Sequence, residues 1–570
     1  MSRNARGTGR GSNGDDELVF VALGGLGEIG MNAYLYGFGP PDARQWLMVD
    51  CGITFPEGEF DPGIDVILPD VRFIEENRGS LVGIVITHAH EDHVGAVLEL
   101  WPRLKAPIYA TPFTAGMLLS KRAEYGGDEA LPLNVRALDS RFDVGPFDVE
   151  LYSLAHSIPE MSALAIRTPL GTVFHTGDWK LDPTPTIGTP LNEARLAELG
   201  DEGVHALVID STNAFREGNS PSERDVAASL KDIVKAAKKR VVLTTFSSNV
   251  ARVKAVAEAA QASGRHLVVA GRALHRVIDV AIDTGYLPQG MKWLDQDQFG
   301  YLNRDEVVLL CTGSQGESRA ALARIAQQEH PEISLAKGDL VIFSSRTIPG
   351  NEKAVSRIEN NLSRMGVELL TDDDALVHVS GHPRRDELRK MYGWIRPKVV
   401  VPMHGEARHI KAQAELARSL GIQNVYPLTD GEIVRLAPDP GVIDEAPVGR
   451  LFRDGRLLVH ETEGPVRARR KLAAVGIVVV SFCLSRRGDV LGEPQAVIDG
   501  VPDETADGEE MLDVVLDAID GTLRSIPGKR RSSPDMVAEA VRRSVRAAVN
   551  DVWGKKPICK VLVNVIDRDR

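Results

Sequence analysis

Ile84-Val85-Ile86-Thr87-His88-Ala89-His90-Glu91-Asp92-His93-Val94-Gly95 is the stretch around which the rest of the chain is arranged. An apolar, strand-like run from Leu81 to Ile86 ends and delivers four potential metal ligands: His88, His90, Asp92 and His93. Imidazole nitrogen and carboxylate oxygen are ligands that zinc accepts at close range. Residues two apart in extended backbone point the same way. The spacing therefore lets His88 and His90 grip one ion while Asp92 and His93, on the turn beyond, reach a second. A single histidine is more often a satisfied core or surface residue than a ligand. Three histidines and an aspartate at this spacing favour metal binding over a polar loop of accidental composition.

The chain has 570 residues, which is too long for one domain and implies two to four. Its 43% hydrophobic content suits globular domains with cores of their own. No run of about 18 apolar residues exists, so a membrane span is not expected. Residues 1–16 carry no apolar signal-peptide core and read as a disordered tail. Cys51, Cys311, Cys483 and Cys559 are scattered without a CxxC pair, which argues against both a disulfide framework and a cysteine zinc site. A cytoplasmic location is the expectation. The net charge of −13 excludes bulk electrostatic capture of nucleic acid, so any nucleic-acid site must be a local basic groove helped by metal ions.

Along the chain, Gly25-Leu26-Gly27-Glu28-Ile29-Gly30 matches G-x-G-x-x-G, but the dinucleotide reading needs a helix to open there. The following Met31–Tyr36 is strand-like, so the motif reads as a glycine-rich turn near the metal centre. Trp46 to Val49 is a strand ending in Asp50. A helix is expected over 94–103 and a strand over 107–110. A helix follows near 113–122, then strands through 178 and another at 207–210. Ser220-Pro221-Ser222-Glu223 reads as a helix start with Ser220 as cap and Pro221 first. That helix is expected to run to about Lys239. Strands at 241–246, 266–270, 306–311 and 339–344 then alternate with helices at 250–262, 273–285, 317–328 and 352–365. This alternation predicts a doubly wound α/β domain over 213–367. It separates 17–212 from 368–450. Residues 451–570 form a linker and a small α/β domain. In its second helix Val537, Val541, Val545 and Val549 recur every four positions and face a sheet. The linker run Arg467-Ala468-Arg469-Arg470-Lys471 reads as a solvated face.

The His-x-His-x-Asp-His pattern after an apolar strand resembles the signature of the metallo-β-lactamase superfamily. The resemblance asks for further ligands, and the chain supplies His156, Asp178 and His404, each after an apolar strand-like run. It implies His88, His90 and His156 on one ion, Asp92, His93 and His404 on the other, and Asp178 as a bridge. It also implies that Asp50 orients a ligand. The long insertion and the stretches Asp210-Ser211-Thr212-Asn213, Ser380-Gly381-His382 and Pro402-Met403-His404-Gly405 resemble the β-CASP nucleases. The implied architecture is an αββα metallo-β-lactamase sandwich interrupted by a β-CASP domain. By the same resemblance His382 contacts phosphate or gives a proton to the leaving oxygen, with Ser380 supporting it and Asp92 as a second acid–base candidate. Phe246, Ser247, Ser248, Asn249, Ser314 and Ser345 lie on small-residue turns before helices, where backbone N–H groups and hydroxyls make anion sites. Together they suggest a phosphate-lined channel, with Phe246 stacking on a base or packing in the core.

From Leu18 to Ile566 the chain resembles bacterial ribonuclease J. The match is carried by Gly24–Asn32, Thr87–Gly95, His156–Glu160, Gly313–Glu317, Ile348–Glu352 and Pro402–Glu406. That resemblance implies 5′-to-3′ exonucleolytic and some endonucleolytic cleavage of single-stranded RNA with preference for a 5′-monophosphate. It further implies two Zn2+ per subunit (Mn2+ as the alternative), homodimers or homotetramers, a place in an RNA-degradation complex, and roles in mRNA turnover and rRNA maturation. His382-Pro383-Arg384-Arg385 departs from the small residue usual after that histidine, and Asp210 stands where many relatives carry Glu. Competing readings are another β-CASP nuclease acting on DNA or as an endonuclease, a small-molecule metallo-hydrolase, and a non-catalytic RNA-binding scaffold. The long insertion and His382 speak against the small-molecule hydrolase, and the complete ligand set against the scaffold.

Overall fold

The computed structural model describes residues 14–58, 60–126 and 130–566. The tail expected over 1–16 lies outside the described residues except for 14–16, which turn into the first strand. The chain divides into two compact units, one of residues up to Phe55 with Val66–Leu451, the other of Pro56–Asp65 with residues from Phe452 onward. No helix among the described residues is long and apolar enough to cross a membrane. All four cysteines are free.

The first unit is built on two facing sheets. One has eight strands in the order Gly441–Glu445, Glu432–Ala437, Glu17–Gly24, Ala33–Gly39, Gln45–Val49, Leu81–Val85, Ile108–Ala110 and Leu133–Val135. The other has seven: Asn424–Val425, Val399–Met403, Val204–Asp210, Gly171–His175, Ser162–Thr168, Phe147–Ser153 and Arg141–Val144. Alternate residues of both meet in a shared core, with Phe20, Tyr36 and Leu47 against Leu164, Val208 and Val401. Their neighbours Ala165, Leu207 and Val400 point the other way, onto the helices Glu193–Glu202, Arg385–Ile395 and Ala407–Ser419. Strands buried on both faces are apolar at nearly every position, which is why these runs lack alternation. This is the helix–sheet–sheet–helix sandwich that the metallo-β-lactamase resemblance implies.

Val399–Met403 pairs in parallel with Val204–Asp210, Asp210 standing opposite Met403. The sandwich is thus completed by a strand that arrives only after the insertion. The inserted sheet has six parallel strands ordered Leu294–Asp295, His266–Ala270, Val307–Cys311, Val241–Thr244, Leu340–Phe343 and Glu368–Leu370. Helices Glu223–Ala236, Val250–Ala262 and Arg272–Asp283 cover one face. Ala321–Ala326 and Glu352–Arg364 cover the other, which makes the domain doubly wound.

Several local expectations need correction. The first inserted helix is capped by Ser222, not Ser220: the Ser222 hydroxyl accepts from a first-turn N–H, Asp225 returns the bond, and the helix ends at Ala236. Ser220 is instead tied to Glu387, its N–H and hydroxyl donating at 3.0 and 2.9 Å. The helix expected over 317–328 shortens to Ala321–Ala326, because residues 317–320 form a turn closed by the Ala320 N–H on the Glu317 carbonyl at 3.0 Å. The helix expected from Val94 splits into Glu91–Val94 and Val97–Leu104.

In the second unit Ile477–Ser485 lies between Val490–Asp499, antiparallel, and Ile558–Ile566, parallel. Helices Met511–Ser525 and Pro534–Trp553 cover one face, and Val537, Val541, Val545 and Val549 are all fully buried against Val478, Val480 and Phe482. The basic run at 467–471 lies on a helix, Gly464–Val475, with all but Arg469 exposed. There Arg469 pairs with Asp454 and Arg470 with Asp61.

Candidate metal centre

Strand ends of the sandwich meet at one place. The strand Gln45–Val49 ends at Asp50 and Val399–Met403 ends at His404, and both residues take a left-handed backbone, φ +62° and +53°. Such conformations are costly for residues with a side chain and persist where the surroundings over-determine them. Asp50 accepts from the Thr87 N–H (2.8 Å), the Thr87 hydroxyl (2.8 Å) and His93 Nδ1–H (2.7 Å). It therefore fixes the end of the Leu81–Val85 strand and one histidine together. Gly52 has to be glycine, since a Cβ there would lie 1.7 Å from the Asp92 carbonyl oxygen.

The hydrogen bonds sort the imidazole tautomers. The Thr87 hydroxyl is spent on Asp50, so its lone pair accepts from His88 Nδ1–H at 3.0 Å. His156 Nδ1–H donates to the Gly381 carbonyl at 2.7 Å. His404 Nδ1–H donates to Thr212 Oγ1 at 2.8 Å, whose hydroxyl donates to the His404 carbonyl at 3.1 Å. With Nδ1 occupied in each, Nε2 carries the lone pair. His90 faces the other way: its Nδ1 stands 3.0 Å from His88 Nε2 and 3.1 Å from His156 Nε2, and its Nε2 looks toward Ser157 Oγ at 3.4 Å. Three nitrogen lone pairs aimed at one another in a buried space require a cation or a proton between them.

The second group is Asp92, His93, Asp178 and His404. Asp178 Oδ2 lies 3.2 Å from His93 Nε2, 3.4 Å from His404 Nε2 and 3.9 Å from His156 Nε2, so it stands between the two clusters. Its other oxygen, Oδ1, is buried with no hydrogen-bond partner. Buried polar atoms without partners are rare in folded proteins, and this one fits a cation as its missing partner. His404 Nε2 is 3.2 Å from Asp92 Oδ2. The donor set, imidazole nitrogens and carboxylate oxygens, suits zinc and also accepts manganese.

Protonation follows the geometry. Burial pushes His90 down to about 4 and His88 and His156 well below the ordinary imidazole range, so this trio is neutral, the form that binds a metal. Burial opposes charge on His93 as well, but Asp178, Asp92 and Asp50 outweigh it and raise His93. Burial would raise Asp178, yet His404, His93 and His382 hold it well below the usual carboxylate range. The second cluster thus holds two anionic carboxylates, Asp178 buried and Asp92 part-exposed, that draw positive charge.

His382 lies beside both clusters, its ring nitrogen within reach of His156 and Asp178 on one side and of Asp210 and His404 on the other. Its Nδ1–H donates to Asp210 Oδ2 at 2.7 Å and lies 4.0 Å from Asp178 Oδ2. Its ring stacks on His404 with centroids 5.3 Å apart. Burial disfavours its charge, but Asp210 and Asp178 prevail and push it up to about 9. Ser380 Oγ accepts from Asn213 Nδ2 at 2.9 Å and from the His382 N–H at 3.3 Å, which sets the loop that carries His382.

The small-residue turns share another location. Ser247, Ser248 and Asn249 follow the strand Val241–Thr244, Ser314 follows Val307–Cys311 and Ser345 follows Leu340–Phe343. These strands are adjacent and parallel, so the turns share one sheet edge, where open α/β sheets place ligands. None of these residues hydrogen-bonds the histidine–aspartate clusters. Asn249 serves as a helix cap, its Oδ1 accepting the Arg252 N–H at 2.9 Å. Phe246 is half-buried. Residue patterning gave no role to Thr87 and Thr212, which hold His88 and His404; Thr87 directly precedes His88, and Thr212 lies within the stretch Asp210–Asn213, 192 residues from the ring it holds.

Comparison with known proteins follows the same division of the chain. Residues 26–218 match the metallo-β-lactamase superfamily and 238–362 the ribonuclease J β-CASP domain. Residues 374–427 match a Zn-dependent metallo-hydrolase RNA specificity domain and 464–566 the ribonuclease J C-terminal domain. The chain is 53% identical over 553 residues to ribonuclease J of Sinorhizobium meliloti, spanning 97% of this chain and 98% of that one. It is 37% identical to ribonuclease J of Corynebacterium glutamicum, across 95% of this chain and 75% of that one. It is 36% identical to that of Mycolicibacterium smegmatis, across 95% and 96%.

Proposed function

The chain belongs to the ribonuclease J family, and on that premise we propose that it is a two-metal ribonuclease. It cleaves single-stranded RNA from the 5′ end, prefers a 5′-monophosphate, and also cuts internally. In the cell it acts in mRNA turnover and rRNA maturation, in the cytoplasm, as a homodimer or homotetramer within an RNA-degradation complex. The observation that carries this reading is Asp178 standing between two buried clusters, with the charged His382 4.0 Å away.

In this reading His88, His90 and His156 hold one ion and Asp92, His93 and His404 the other, with Asp178 shared. The ions are zinc, with manganese as the alternative. When bound, such a pair lowers the pKa of water toward about 7 and neutralises charge on both the attacking and leaving oxygens of an in-line displacement at phosphorus. The chain's own residues do the rest. Asp50 holds the His93 ring in place through Nδ1. Asp92, facing His404, accepts a proton from the attacking water. His382 spends Nδ1–H on Asp210, so its Nε2–H is the proton offered to the leaving oxygen or to a phosphate oxygen. Held up to about 9, the ring keeps that proton at neutral pH. Ser380 positions it, while Phe246, Ser247, Ser248, Asn249, Ser314 and Ser345 line the path of the strand. Residues 17–212 and 368–450 act as the metal-binding domain, 213–367 as the inserted β-CASP domain that carries the path, and 451–570 as the linker and C-terminal domain.

The test is incubation of purified, metal-analysed protein with 5′-monophosphorylated and 5′-triphosphorylated single-stranded RNA and with matched DNA. Mononucleotide release from the monophosphorylated RNA, faster than from the other two, is expected. Equal turnover of DNA, or no cleavage by protein carrying two ions, overturns the reading.

A further inference from the structure

Asn32 and Tyr34 lie behind the second cluster, fully buried, and no step above uses them. Asn32 Nδ2 is 3.0 Å from the Asp92 carbonyl, 3.4 Å from Asp92 Oδ2 and 3.1 Å from His93 Nε2. The Asn32 backbone N–H also donates to the Asp92 carbonyl, at 2.9 Å. Two of these neighbours, the Asp92 carbonyl and Asp92 Oδ2, are acceptors. The amide can therefore face them only through its NH2 group. Oδ1 then points backward, where the Tyr34 hydroxyl donates to it at 2.6 Å. Burial and the nearby Asp178 raise the Tyr34 phenol well above its ordinary range, so it stays a donor at any working pH.

The Gly25–Gly30 turn is shaped around this pair. A Cβ on Gly25 would fall 2.5 Å from Asn32 Oδ1 and 2.5 Å from the Tyr34 hydroxyl oxygen. The Gly25 carbonyl meanwhile accepts the His404 N–H at 3.0 Å. One glycine thus admits the Tyr34–Asn32 pair and fastens the strand end bearing His404. Asp92 needs such support: it sits on a four-residue helix and its side chain is 29% exposed, whereas His93, Asp178 and His404 are buried.

We propose that Asn32, locked by Tyr34, is the positioning residue that holds Asp92 in place beside His93 for the second ion and leaves the His88–His90–His156 site independent. The proposal rests on the two-ion reading above. Outer partners of metal ligands typically contribute about ten- to a hundredfold in affinity.

The test is stepwise Zn2+ binding to the metal-stripped full chain, read by chelator competition, for wild type, N32L, Y34F and D92N. D92N, which loses a ligand of that cluster, identifies which step is the second ion. N32L is expected to weaken that step about ten- to a hundredfold with the other step unchanged, and Y34F to weaken the same step by a smaller factor. Unchanged steps in N32L, or equal weakening of both, overturn the proposal. If metal-free N32L does not fold, Y34F decides alone, since it keeps the ring packing on Phe20 and His175; an unshifted second step in Y34F overturns it. Wild type that binds a single ion sinks the two-ion reading and this inference together. Two ions bound without RNA cleavage sink the nuclease reading alone.

Discussion

Arg252→Met probes the join between the metal-binding sandwich and the inserted domain. Arg252 is fully buried in the helix Val250–Ala262. Its guanidinium holds Glu223 Oε2 at 2.8 Å and also binds Ser344 Oγ and the Val377 carbonyl. The other Glu223 oxygen meets Lys180 at 3.3 Å, two residues from Asp178, and the Glu223 N–H donates to Asp182 at 2.9 Å. Burial alone would raise the Glu223 carboxyl, but Arg252 and Lys180 pull it from 4.5 to about 2. At about 1.36 kcal/mol per pH unit, that fall corresponds to about 3 kcal/mol. Losing one partner of a buried ion pair typically costs about 3–5 kcal/mol, because the other charge is left uncompensated. Arg252 Nε is itself buried without a partner, which returns part of that cost on substitution. The expected destabilisation is therefore about 3 kcal/mol by urea titration at pH 7, a large share of a domain's total stability. Because the folded-state carboxyl is depressed, its contribution is complete above about 4.5 and fades as pH falls toward 2. The gap between R252M and wild type should narrow over that window. R252M combined with E223L should recover most of the loss, since no buried charge then lacks a partner. A cost under about 1 kcal/mol for R252M, or no recovery in the double variant, refutes the reasoning.

Four further outcomes are expected. Asp178→Asn should remove bound metal and cut RNA cleavage by at least about a hundredfold, measured by metal analysis and turnover; full metal content would take Asp178 out of the bridge. His382→Gln should slow turnover by about a hundredfold or more while leaving metal content intact, and zinc loss equal to the activity loss would make it a ligand. Stripping the metal should lower thermal stability, because the three facing lone pairs lose their counter-charge; a saturating ion at about 100 times its dissociation constant contributes about 2.7 kcal/mol, and an unchanged melting temperature would count against a pre-formed site. Substituting Ser248, Ser314 and Ser345 in turn should blunt discrimination between mono- and triphosphorylated RNA. Unchanged discrimination in all three removes that sheet edge from 5′-end recognition.

The parts of the fold that local patterning expresses were legible. The strand before His88, the alternation of the insertion and the four-residue valine spacing from Val537 to Val549 all follow from backbone periodicity. Boundaries set by side-chain capture were not. Ser220 reads as a cap, but Glu387, far along the chain, captures it, and Ser222 caps instead. The helix after Gly316 starts only at Ala321, behind a turn closed by the Ala320 N–H on the Glu317 carbonyl.

Residue types and their order along the chain determined by themselves which side chains are able to hold a metal, because chemistry at that level is a matter of nitrogen and oxygen donors after apolar strands. Only the tertiary structure decided how those donors are aimed. Each ring's tautomer depends on what its far nitrogen meets: Asp50 for His93, Thr212 for His404, the Gly381 carbonyl for His156. Asp50 reaches His93 across the adjacent strands Gln45–Val49 and Leu81–Val85, while the Thr212–His404 and His156–Gly381 bonds close across the insertion, after which Val399–Met403 pairs with Val204–Asp210. No local sequence signal can carry a hydrogen bond that closes across an inserted domain.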